Sequence, residues 1–133
     1  MTGITKLSEL LNSMSPQRVD GAYVFVTLPE EAATAFKAKA VLVFKEEEGC
    51  TLILREEEAK GLDYSDTWAF ITLTVHSDLQ AVGFLAAITE RLAAAGISVN
   101  AVSAYYHDHL FVSSEKAEQA MEILNSFNLK KAP

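Results

Sequence analysis

The chain has 133 residues, half of them hydrophobic, with 11 basic and 18 acidic side chains and a formal charge of −7. That length fits one compact domain or two very small ones with a real core. The acidic balance argues against nucleic acid and anionic membrane as partners, since both attract clustered Lys and Arg. A lone Cys50 offers neither a disulfide framework nor zinc-ligand spacing, so a reducing cytoplasm is the expected home. The N-terminus has no basic region followed by an apolar core, and no apolar run reaches the roughly 18 residues of a membrane span.

Ile4, Leu7, Leu10, Leu11 and Met14 predict an amphipathic first helix, ended by Pro16 because the residue before proline leaves the helical region. Residues 17–21 read as a polar link. Residues 22–28 are apolar except for Thr27, the pattern of a strand covered on both faces. Pro29-Glu30-Glu31 opens a short turn or helix through Phe36, its proline and acids suiting a helix start. Residues 40–45 and 50–55 flank Glu46-Glu47-Glu48-Gly49, which predicts a β-hairpin with Gly49 free to take positive φ. The acidic runs at 46–48 and 56–58 read as solvated turns. Residues 62–67 are the natural linker, dividing the chain into halves 1–64 and 65–133.

The second half begins with the most informative stretch. Residues 68–75 are apolar and β-prone, with Ile71, Thr72, Thr74 and Val75 branched at Cβ. His76-Ser77-Asp78 breaks the run. Ser77 with Gln80 fits a capping box, and Asp78 is a competing N-cap. Val82, Leu85, Ile88 and Leu92 then recur at helical spacing, and Gly96 fits a left-handed helix cap. Gly83 falls in the second helical turn on this reading, at a cost of about 1 kcal/mol against alanine. It reads either as tight packing against a neighbouring strand or as close approach of a ligand or second subunit. Residues 97–102 form a strand, Ser103 and Ala104 turn the chain, and a third strand runs from Tyr105 to Val112. Ser113 or Ser114 caps a last helix with Ala117, Ala120, Met121, Leu124 and Phe127 on its buried stripe. Residues 128–133 are too short to call for a strand. The half therefore supplies three strands, and the prediction is that a strand from the first half, residues 22–28, completes the sheet and protects its edge. Between the halves, similarity is expected in element order only.

Asp78, Val82-Gly83, the helix 85–92, Ala95-Gly96-Ile97 and Asn100 resemble an ACT domain, and the segment Tyr105 to Val112 resembles a matching strand in small bacterial proteins that pair two ACT-like halves. Those proteins look related to the ACT modules of the cytosolic arginine sensors. The resemblance is clearest over residues 68–112. The Arg-Pro-Gly common after the acidic residue is replaced here by Leu79-Gln80-Ala81. The implied fold is α+β, a ferredoxin-like βαββαβ sandwich with two packed ACT-like halves sharing sheet edges. The implied role is regulatory binding of an amino acid, in a homodimer or larger assembly.

The residues themselves support a site at the turn after strand 68–75. A helix N-terminus offers free N–H groups to a carboxylate, and Asp78 could accept an ammonium, which together suit a small zwitterion. The candidate ligand-binding residues are His76, Ser77, Asp78, Val82, Gly83 and Asn100; the bland alternative is that Ser77 and Asp78 merely cap the helix. His107 and His109 alternate onto one strand face, but a metal site needs a third ligand. Neither a metal nor another cofactor is expected. No phosphate loop, HExxH or G-x-S-x-G pattern proposes catalysis. The expected function is a non-catalytic, small-molecule-responsive regulator. The alternatives are an interaction module without ligand and a small metal-dependent enzyme using His107 and His109.

Overall fold

The computed structural model describes residues 6–75, 78 and 80–128. The chain separates into two compact units. One comprises residues 1–20 with 69–133, the other residues 21–68. The first helix and the start of the first strand thus group with the second half of the sequence.

In the smaller unit, strand β1 (Ser15–Leu28) contributes its last eight residues. Helix α2 (Glu30–Ala33) and a 3-10 turn at Lys37–Lys39 lead to strands β2 (Leu42–Lys45) and β3 (Cys50–Arg55). The order is β2-β3-β1, antiparallel throughout, with Val24 opposite Leu54, Val26 opposite Leu52 and Leu28 opposite Cys50. These pairs share one face, and Val24, Val26, Cys50, Leu52 and Leu54 form the core with Ala33 and Ala59. The predicted hairpin is present. Glu46 and Gly49 exchange backbone hydrogen bonds of 3.0 and 3.3 Å across its tip. On the opposite face Arg55 stacks 5.5 Å from the Tyr23 ring.

In the larger unit, helix α1 (Leu7–Ser13) precedes the first six residues of β1. Strand β4 (Trp68–Thr74), helix α3 (Phe84–Ala94), strands β5 (Val99–Ser103) and β6 (Asp108–Ser113), and helix α4 (Ala117–Asn125) follow. The order is β1-β4-β6-β5. A strand from the first half therefore lies beside β4, but the part of it in this unit is residues 15–20, and the expected residues 22–28 belong to the smaller unit. The strand starts at Ser15, so residues 17–21 are strand and not a link. Pro16 sits at the second position of the strand, where a missing N–H is tolerated. Thr74 Oγ1 donates to the carbonyl of Ser15. Strict alternation in β4 puts Ala69, Ile71 and Leu73 on the core face. They meet Leu110 and Val112 of β6, Phe84, Ile88 and Leu92 of α3, Ala120 and Leu124 of α4, Leu10 of α1 and Met14 just after it. Each such large side chain contributes roughly 1.5–3 kcal/mol.

The element order strand, helix, strand, strand occurs twice, as β1-α2-β2-β3 and β4-α3-β5-β6, with matching strand orders β2-β3-β1 and β5-β6-β4. The fold is α+β, built of two ferredoxin-like repeats, as predicted. Two expectations in the second repeat need correction. Helix α3 begins at Phe84, so Asp78 is not its N-cap and Gly83 is not in its second turn. Strand β6 begins at Asp108, because Ala104 to His107 form the turn, closed by an Ala104 N–H to His107 carbonyl bond of 3.0 Å.

Candidate functional site

The link from β4 to α3 is folded by Asp78. Its carboxylate Oδ1 accepts the Gln80 N–H at 2.8 Å, and its carbonyl accepts the Ala81 N–H at 2.9 Å. This is an Asx turn, in which a short acidic side chain imitates a backbone turn. Gly83 is the N-cap of α3 with φ of 87°, and the first helical bond runs from Ala87 N–H to the Gly83 carbonyl at 2.9 Å. A left-handed residue there costs a non-glycine about 1–2 kcal/mol. Among the described residues, a Cβ on Gly83 would meet only Leu7 of α1, at 3.6 Å. Gly83 is therefore accounted for by backbone conformation first and by the neighbouring helix second, in place of the strand packing read from sequence.

Beside this turn lies a small cavity of about 80 Å³, lined by Asp78, Ala81, Phe84, Leu85, Ser103, Ala104 and Asp108. A cavity of this size suits a small charged group and not a nucleotide. Two carboxylates face it. Asp78 is half-buried, whereas Asp108 is buried and accepts the Ser103 hydroxyl at 2.6 Å. The other wall is the first turn of α3, which carries no acidic residue and no side-chain cap. Its leading N–H groups have no partner within the helix. The cavity thus has two carboxylates and the first residues of α3, Phe84 and Leu85, among its lining.

Of the sequence-predicted residues, Asp78 lines the cavity and Gly83 starts the helix that walls it. His76 and Ser77 lie outside the described residues. Val82 is 83% exposed and does not line the cavity, so it does not belong to the buried stripe either; Phe84 takes that place. Asn100 is exposed on β5 opposite Phe111, and β6 stands between β5 and β4, so it is not on the strand adjacent to the turn. Ser103, at the other end of β5, lines the cavity in its stead. The sequence reading missed Ser103 and Asp108. The available signal was a buried-length acid flanked by two histidines in an otherwise apolar strand.

His107 and His109 have ring centroids 6.2 Å apart. Among the described residues no three His, Cys, Asp or Glu side chains gather in a metal-binding group. His109 lies instead in an aromatic layer, edge-on to Phe70 at 5.4 Å, with its Nδ1 3.0 Å from Thr72 Oγ1. Burial, and then the neighbouring His107, hold its pKa below the usual imidazole value, against the pull of Asp108.

Residues 2–70 match the ACT domain, and residues 64–126 match it again. The chain belongs to the ACT-domain family. Among solved structures, a Vibrio cholerae protein of unknown function, described as a possible transport protein, is 44% identical, with 92% of this chain and 95% of that one covered and a TM-score of 0.82. An Agrobacterium tumefaciens protein is 19% identical with a TM-score of 0.70, over 86% of this chain and 89% of that one. The ligand-free regulatory subunit of aspartate kinase from Thermus thermophilus shares the fold at 12% identity and a TM-score of 0.64, over 86% of this chain and 99% of that one. No curated protein matches the chain. Within the ACT fold, the turn and the cavity just described follow the first strand of the second repeat.

Proposed function

We propose that the protein is a non-catalytic regulatory ACT protein that binds a free amino acid or similar small zwitterion at the turn after β4. The ammonium sits against Asp78 and Asp108, and the carboxylate meets the amide donors opening α3. His76 and Ser77 are proposed for the same site, with Gly83 setting the path of the chain into the helix, whereas Val82 and Asn100 stand off the cavity. The two ACT repeats are taken as residues 1–64 and 65–133. The observation that carries the reading is the small cavity whose walls are two carboxylates and an uncapped helix start. The regulatory role of the Thermus thermophilus aspartate kinase subunit, which has the same fold, supports it. A homodimer is proposed as the working state, supported by the exposed Val41, Val43 and Phe44 at the outermost strand of the β2-β3-β1 order. Among the described residues no helix is long and apolar enough to cross a membrane. A cytoplasmic location is proposed from the free Cys50.

A thermal-denaturation screen against the common amino acids tests this directly. A ligand at about 100 times its dissociation constant stabilises by about 2.7 kcal/mol. Absence of any response across the set favours the interaction module without ligand. Dependence of stability on added zinc, removed by His107→Ala, favours the metal-dependent alternative.

A further inference from the structure

The larger unit holds a second, bigger concavity that the ACT assignment does not use. Helices α1, α3 and α4 leave an open groove of about 700 Å³, within the range that takes a drug-sized ligand. Its floor is apolar, from Leu11 and Phe127. Arg91 lies 4.4 Å above the Phe127 ring and gives one N–H to Ser126 Oγ at 3.2 Å. A guanidinium has five donors in a planar fork, so an edge remains for a carboxylate. On the facing helix the side-chain oxygen of Asn12 is buried and accepts no hydrogen bond. A buried acceptor left unmet is costly, and such orphans call for a missing donor. Glu9 at the rim disfavours a second anionic group.

We propose that this groove binds a monocarboxylic acid that has an apolar body and one neutral hydrogen-bond donor. The carboxylate pairs with Arg91, the donor meets Asn12 Oδ1, and the body covers Leu11 and Phe127. An N-acylated apolar amino acid is the simplest compound with all three features. It differs from the guest of the turn site, because acylation removes the ammonium that Asp78 and Asp108 require.

The test is an NMR titration of the full chain with N-acetyl-leucine, its methyl ester and isocaproate. The expected result is shifts confined to amides of α1, α3 and the end of α4, at least tenfold weaker binding of the ester, and several-fold weaker binding of isocaproate, which lacks the amide donor. Arg91→Gln weakens N-acetyl-leucine at least tenfold, and Arg91→Lys weakens it less. Asn12→Leu weakens N-acetyl-leucine while leaving isocaproate unaffected, which separates loss of the acceptor from loss of the fold. Equal affinity for acid and ester, shifts elsewhere, or no shifts at millimolar concentration overturn the proposal.

Discussion

The two repeats place a helix at the same point, after the first strand, and treat its N-terminus in opposite ways. Helix α2 is four residues long and opens with Glu30 and Glu31, so its own acids occupy the positive end. Glu30 also pairs with Lys37, whose ammonium holds the Glu30 carboxyl below its ordinary value. Helix α3 has eleven residues, no acid in its first turn, and a glycine where a capping side chain would stand. Neither helix start has a side-chain cap; the first carries its own negative charge in Glu30 and Glu31, and the second has none and lies beside the small cavity. A shared topology thus yields one helix start with acids in its first turn and one without, and the difference lies in a handful of side chains.

The largest expected effect concerns what each repeat needs from the rest of the chain. A fragment of residues 65–133 lacks Leu10 and Met14, both fully buried in its core, and the strand segment beside β4. It is expected to lose several kcal/mol and to aggregate through the bared β4 edge. A monomeric fragment as stable as the whole chain, measured by urea denaturation and sedimentation, breaks this expectation. Next in size, Gly83→Ala forces φ near 87° on a residue with a Cβ and should cost about 1–2 kcal/mol, with the contact to Leu7 adding little. Asp78→Ala should weaken the amino-acid ligand about tenfold in a calorimetric titration while the fold survives. Transferring the habit of α2 to α3 sharpens the comparison most. Ala86→Glu places an acid in the exposed first turn of α3 and should stabilise the chain by about 0.3–1 kcal/mol while competing with the ligand carboxylate.

The smallest effect is a pH dependence. Burial holds the His109 pKa below that of the unfolded chain. As pH falls below about 6.5, the unfolded chain takes up a proton first, so stability declines. His109→Gln should flatten that part of the stability profile, measured by urea denaturation from pH 7 downwards.

Much of this was legible in the residues. Alternation in residues 68–75 and the helical spacing of Ile88 and Leu92 located the second repeat, and the Glu-rich hairpin stood out by composition. The start of α3 did not. Ser77, Asp78 and Gln80 carry the signature of a helix cap, but the Asp78 carboxylate closes a turn five residues before the helix N-cap. Local capping chemistry is the same in both cases, so sequence cannot separate them. Residues 17–21 were read as a link because Gln17, Arg18 and Asp20 are polar, yet all belong to β1. Pairing with β4 in the larger unit, a contact remote in sequence, outweighs their weak strand preference. Asp108 is marked locally only by the histidines on either side of it, and the fold alone brings it to a turn thirty residues upstream.

The central claim is that a small zwitterion sits between Asp78 and the start of α3. Amide NMR of the full chain, titrated with the amino acid that most raises its melting temperature, tests it most directly. The largest shifts are expected at Asp78, Ala81, Phe84, Leu85, Ser103 and Ala104, absent in Asp78→Ala. Shifts centred on α2, or shifts unchanged by Asp78→Ala, would contradict it.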